Sequence, residues 1–174
     1  TLNGAIAWND ECMRVLGGDG NIISGNTFTD CGVGMFVGRS PYYYRHQSSE
    51  IGADNLTITD NVFVDGGEMA DIWIYFNNEA QSVDITGNEF STSGHAIDVE
   101  PGNTGDLLIQ DNTIVGGDDA IVLNDVDDFT VDNNDITGIQ DATSTGLFVS
   151  GGYGNITDNT LTDADGGMYL EDME

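Results

Sequence analysis

Lysine is absent from this 174-residue chain, and three arginines, Arg14, Arg39 and Arg45, face 31 acidic residues. The formal net charge is −28. Phosphate contacts need Lys and Arg, so nucleic acid is excluded as an expected partner, and anionic membranes fall with it. Apolar residues come in short runs, far below the 18 or so needed to cross a bilayer, so no membrane insertion is expected. Proline is used twice and cysteine twice. Cys12 and Cys31 make no zinc pattern and are compatible with one disulfide or with two buried thiols. The chain starts at Thr1 without a signal-peptide pattern. It is therefore expected to be a processed or truncated piece of a longer chain, and the missing signal does not argue for the cytoplasm.

What is abundant is a repeat. An apolar-x-apolar-x-x-Asn-x-apolar motif runs through Leu56-Thr57-Ile58-Thr59-Asp60-Asn61-Val62-Phe63 and returns at Val83 to Phe90 around Asn88. Further copies surround Asn112 and Asn134, with weaker ones at Asn26 and Asn159. The six Asn are spaced by 35, 27, 24, 22 and 25 residues. A second motif, small-apolar-x-apolar, lies between them: Ala5-Ile6-Ala7-Trp8, Gly34 to Val37, Asp71 to Ile74, Ala96 to Val99, Ala120 to Leu123, Gly146 to Val149 and Gly167 to Leu170.

Alternating residues point to opposite faces of a strand. Strands this short, joined by Gly, Asp and Asn turns, cannot build a core singly. Stacked coils can, with each strand pairing in parallel with its equivalents above and below. The expected fold is all-β: a right-handed parallel β-helix of about seven coils, forming one domain over 1–174. A buried Asn amide carries two donors and two acceptors, so Asn26, Asn61, Asn88, Asn112, Asn134 and Asn159 are expected to stack as a structural ladder.

The interleaved Asn-x-apolar and Gly-apolar-x-apolar motifs resemble the right-handed parallel β-helix, or pectate-lyase-like, superfamily. The likeness covers nearly the whole chain. It implies the fold more than the function, because such solenoids include polysaccharide hydrolases and lyases, tailspikes and surface proteins.

Departures from the period point to candidate binding residues. The interval from Met35 to Ile72 is 37 residues, and the surplus falls in an inserted loop at 38–55. That loop carries Arg39, Tyr42, Tyr43, Tyr44 and Arg45. Tyr and Arg are favoured anchors of recognition surfaces, and inserted loops commonly carry them. The same residues could simply pack on the solenoid flank. In the second motif the third residue faces outward, giving Ala7, Phe36, Trp73, Asp98, Val122, Phe148 and Tyr169 down the stack. Two residues further on come Tyr75 and Glu100. Rings beside carboxylates suit sugar, since rings stack on C–H faces and carboxylates accept hydroxyl protons. Phe36, Trp73, Tyr75 and Glu100 therefore join the loop residues as candidate substrate contacts.

The candidate catalytic residues are His95, Asp98, Asp118 and Asp119. Gly117-Asp118-Asp119 resembles the Gly-Asp-Asp motif of polygalacturonase-like glycoside hydrolases, which implies carboxylates acting as general acid and base. That family has an Asp one coil earlier, where His95 stands here, and a His one coil later, where Thr145 stands. Its Arg-x-Lys is absent. No cofactor is required, and Ca²⁺ held by turn aspartates is the one the composition admits.

Lysine-free acidity spread along the whole chain also resembles that of proteins from extreme halophiles; an acidic Ca²⁺-binding protein is the alternative. The function expected from all this is an extracellular, surface-associated polysaccharide-binding β-helix in a high-salt environment, part of a surface or tailspike-like protein. A polysaccharide hydrolase or lyase and a structural spacer or adhesin are the alternatives. A glycan is the expected partner, together with self-association, trimeric if the assembly is tailspike-like.

Overall fold

A computed structural model describes residues 2–3, 11–38, 53–66, 69–75, 82–101, 105–139 and 143–173. Three parallel sheets wind around one core, and the described residues contain no helix. The first sheet is built from Leu2–Asn3 and the six strands that follow the ladder Asn: Thr27–Thr29, Val62–Val64, Glu89–Ser91, Thr113–Val115, Asp135–Thr137 and Thr160–Thr162. The second, broader sheet stacks Glu11–Val15, Val33–Gly38, Ala70–Tyr75, His95–Val99, Ile121–Asn124, Leu147–Ser150 and Met168–Glu171. The third stacks Ile22–Ser24, Leu56–Thr59, Val83–Thr86, Leu107–Gln110, Asp127–Asp132 and Tyr153–Thr157. Because the third sheet has six strands, the complete coils are slightly fewer than the seven expected. Among the described residues the last coil contributes strands to the first two sheets only, Thr160–Thr162 and Met168–Glu171.

The first strand of the broad sheet also differs from expectation. Ala5-Ile6-Ala7-Trp8 lies outside the described residues, whereas Met13 pairs with Met35 and Arg14 with Phe36. Glu11–Val15 therefore holds the place assigned to Ala5–Trp8.

Backbone geometry accounts for part of the acidity. The residue before each ladder Asn has a positive φ: Gly25 67°, Asp60 54°, Gly87 65°, Asp111 56°, Asn133 51° and Asp158 53°. Left-handed backbone is tolerated by Gly, Asn and Asp, and those are the types found. A second corner, after the first sheet, repeats the conformation at Asp30, Asp65, Gly116, Gly138 and Asp163. Many aspartates are thus turn formers.

Inside the coils the Asn residues form a hydrogen-bonded column. Asn61 Nδ2 donates to Asn88 Oδ1 at 3.1 Å, Asn112 Nδ2 to Asn134 Oδ1 at 2.9 Å, and Asn134 Nδ2 to Asn159 Oδ1 at 2.8 Å. Each interior amide also donates to a carbonyl of the preceding coil, such as Ile58 for Asn88 and Ile85 for Asn112. The polar groups are therefore satisfied although Asn61, Asn88, Asn112 and Asn134 are buried. Beside them Phe28, Phe63 and Phe90 stack with centroids 4.6 and 4.9 Å apart. The small residues of the broad sheet face this column: a Cβ on Gly34 would lie 2.8 Å from the Phe63 ring.

Cys12 and Cys31 form a disulfide with a Cα–Cα distance of 5.7 Å. Of the inserted loop, Gly38 belongs to a broad-sheet strand, and Ala53–Asp54 pairs with Gly18–Asp19.

Candidate functional site on the broad sheet

Register fixes one outward column on the broad sheet. Arg14 pairs with Phe36, Phe36 with Trp73, Trp73 with Asp98, Asp98 with Val122, Val122 with Phe148, and Phe148 with Tyr169. Alternation along each strand turns Met35, Val37, Ile72, Ile74, Ile97 and Val99 into the core, so the residues between them face outward.

The aromatic end of the column is more enclosed than its outward direction suggests. Phe36 is 1% exposed. The Trp73 ring meets it edge-on at 5.3 Å and 88°, and the Arg14 guanidinium lies 5.2 Å from its centroid. Glu11 holds Arg14 through its carboxylate. Trp73 and Tyr75 keep part of their surface exposed. Arg39, Tyr42, Tyr43, Tyr44 and Arg45 lie outside the described residues.

At the next coil the column becomes acidic. Burial pushes the Asp98 carboxyl up to about 6; the Glu100 and Asp119 carboxylates act in the same direction and His95 opposes them. His95 Nδ1 lies 3.3 Å from the Asp119 carbonyl oxygen and 3.8 Å from its Oδ2. Asp119 Oδ1 accepts from the Thr145 backbone N–H at 2.5 Å and its hydroxyl at 2.9 Å. Thr145 thus fixes the carboxylate that faces His95. The Glu100 backbone N–H donates to Ile74 O at 2.9 Å, which brings Glu100 beside Tyr75.

His95, Asp98, Glu100 and Asp119 are therefore one neighbourhood, joined in register to Trp73. Asp118 differs from them in being exposed, and its backbone N–H is held by Gly94 O at 3.1 Å. Gly117 has a φ of 100°, and a Cβ there would run into Gly94 O. The Gly of the Gly-Asp-Asp stretch is accounted for by this corner alone.

Two buried polar atoms in the column lack a hydrogen-bond partner: Trp73 Nε1, a donor, and Asp98 Oδ1, an acceptor. Each such group costs roughly 1–3 kcal/mol. Sequence reasoning missed Glu11 and Arg14, although the Met13-x-Val15 alternation, 22 residues ahead of Met35-x-Val37, signals their strand.

Residues 44–174, about three quarters of the chain, match the family described as periplasmic copper-binding protein (NosD). The chain belongs to the NosD family. No curated protein and no solved structure matches it. The family's solenoid accords with the parallel β-helix described above.

Copper sites draw on His nitrogen, Cys thiolate and Met thioether. Among the described residues no group of three or more His, Cys, Asp or Glu side chains could hold a metal ion. Both cysteines are in the disulfide, and His95 is turned toward Asp119. His46, the other histidine, lies outside the described residues. The described His, Cys, Asp and Glu side chains of this NosD-family chain therefore do not assemble a copper donor set.

Proposed function

We propose that this NosD-family β-helix is an exported module that binds a glycan along the outward face of its broad sheet. The observation that carries the proposal is the in-register, part-exposed Trp73–Asp98 pair, with Tyr75 and Glu100 alongside. A sugar offers apolar C–H faces for stacking on the part-exposed Trp73 and Tyr75 rings, and hydroxyls that donate to the carboxylates beside them. Export is supported by the family's periplasmic description and by the disulfide, a bond that persists in oxidising compartments. A high-salt habitat remains part of the proposal on the strength of the −28 charge.

Glycan cleavage is a second reading favoured by one observation. Asp98, raised to about 6, stands in an electrostatic group with Asp119 and His95, as a proton donor beside a charged carboxylate would. Copper binding by these residues is not proposed.

A glycan array in buffered salt, followed by calorimetry on any hit, tests the proposal. Binding that weakens in Trp73→Ala and Asp98→Asn supports it. Binding that survives both substitutions, or tight copper binding that Asp98→Asn and His95→Ala abolish, overturns it. A reducing-sugar assay with Asp98→Asn separates cleavage from binding.

A further inference from the structure

Two exceptions to the repeat lie on adjacent coils and touch. In the broad sheet, the position just before the first core residue is Cys12, Gly34, Ala96, Ala120, Gly146 or Gly167 in the other coils. Asp71 is the single acid in this column and is 2% exposed. In the corner after the first sheet, the equivalent residues are joined by backbone hydrogen bonds: Asp30 N–H to Val64 O, Asp65 to Ser91, Thr92 to Val115, Gly116 to Thr137 and Gly138 to Thr162. Of these, Thr92 alone lacks a positive φ. The Thr92 hydroxyl is the group that favours the charged form of the Asp71 carboxyl.

The surroundings are shaped for this pair. A Cβ on Gly66 would run into Asp71 Oδ1, so only Gly leaves room for the carboxyl. Ser93 Oγ donates to Gly66 O at 2.8 Å, and the Gly94 N–H donates to Thr92 Oγ1 at 3.2 Å. The 65–66 and 91–94 corners are thus tied around the carboxyl. The tie continues outward, because the His95 N–H donates to Met69 O at 2.9 Å and Gly94 O accepts from Asp118. Asp71 Oδ2 is buried without a partner.

We infer that Asp71 and Thr92 form a proton-operated latch, closed while Asp71 is neutral and locally opened when it ionises, which loosens the corner that presents His95.

Burial pushes the Asp71 carboxyl up to about 7, with the Thr92 hydroxyl opposing. No charged group figures among these influences. The titratable groups on the packed elements are Tyr75 on its own strand, Asp65 in its own coil's corner, Glu89 on the strand leading to Thr92, His95 and Asp98 on the next broad-sheet strand, and Asp118 and Asp119 beyond it. Strands Val33–Gly38 and Val62–Val64 carry none. Glu68 lies outside the described residues. An ionised carboxylate in this place has a single hydroxyl in exchange for its hydration shell, and opening the corner returns it to water. A neutral carboxyl has no such need.

Hydrogen exchange read by mass spectrometry between pH 4 and 9, corrected for intrinsic rates, tests the latch on the whole chain. Opening then releases a proton, so protection of peptides spanning 62–75 and 89–97 falls by up to about tenfold per pH unit and levels off near neutrality. Peptides spanning 107–137 lack this slope. Asp71→Asn keeps the shape and removes the charge, so it flattens the slope in the two corner segments. An unchanged slope in Asp71→Asn, or the same slope in 107–137, overturns the inference. Should Asp71→Asn fail to fold, the ¹³C carboxyl titration of wild-type Asp71 decides: a midpoint near neutrality supports the latch, and one near 4 overturns it.

Discussion

Asn88 and Asn112 sit one coil apart, and the Asn88 backbone N–H and side-chain amide both donate to Asn112 Oδ1, at 2.9 and 3.1 Å. One acceptor serving two donors makes each rung depend on its neighbour. Asn88→Ala would keep the backbone bond, remove the side-chain one, leave the Asn61 N–H buried without its acceptor and take the side-chain donor from the Ile58 carbonyl. With buried orphans costing roughly 1–3 kcal/mol each, the loss is expected at about 3 kcal/mol or more. For a chain of this length that lowers the melting temperature by roughly 6–12 °C. Calorimetry checks it; a shift below about 2 °C would mean that the ladder bonds contribute little beyond solvent exchange.

Stability against pH follows from Asp71 and Asp98, whose folded-state carboxyls are raised to about 7 and about 6 from 3.8. A raised carboxyl binds its proton more tightly in the folded state. Its contribution is fully present below pH 3.8 and is lost as pH rises through the folded value. The protein is therefore expected to be more stable at pH 4.5 than at pH 8, by an amount on the order of 4 kcal/mol from Asp71 at most. Denaturant titrations at fixed ionic strength measure this, and Asp71→Asn should remove most of it. A stability that climbs from pH 4.5 to 8 would show that these carboxyls are not held neutral.

Salt provides an independent check on the acidic surface. With −28 and no Lys, the folded chain repels itself, and screening lengths fall to roughly 3 Å at 1 M salt. Thermal melts from about 0.1 to 3 M KCl should show a rising midpoint. A flat midpoint would leave turn geometry as the reason for the aspartates. Full recovery by micromolar Ca²⁺ at low salt would instead point to specific ion sites.

The fold was open to sequence reasoning because two motifs share one period, each fixed by hard constraints. The Asn column must satisfy its amide, and the small-residue column must clear rings such as Phe63. The conformation before each ladder Asn selects Asp, Asn or Gly, so that position reads the same way in every coil. Where the constraint is weaker the sequence misleads. Ala5-Ile6-Ala7-Trp8 fits the strand motif as well as Glu11–Val15 does, and only the pairing of Met13 with Met35 separates them. The outward site was partly readable: column membership of Trp73, Asp98 and His95 follows from the period, while the enclosure of Phe36 by Arg14 and Trp73 does not. Asp71 stood in a column of Gly, Ala and one Cys as its only acid. Its partner Thr92 is 21 positions away and is recognisable only once the corners are aligned.

The central claim, that the strip around Trp73 binds a glycan, is tested most directly by titrating oligosaccharide hits into the wild-type chain and into Trp73→Ala under identical high-salt conditions. Loss of the indole stack is expected to weaken binding by about tenfold or more, since truncating an aromatic anchor costs more than about 1 kcal/mol. The melting temperature of the variant, measured alongside, separates loss of the site from loss of the fold. Binding weakened at least tenfold in a folded Trp73→Ala is the predicted result; equal affinity in both proteins, or no glycan bound by the wild type, would contradict it.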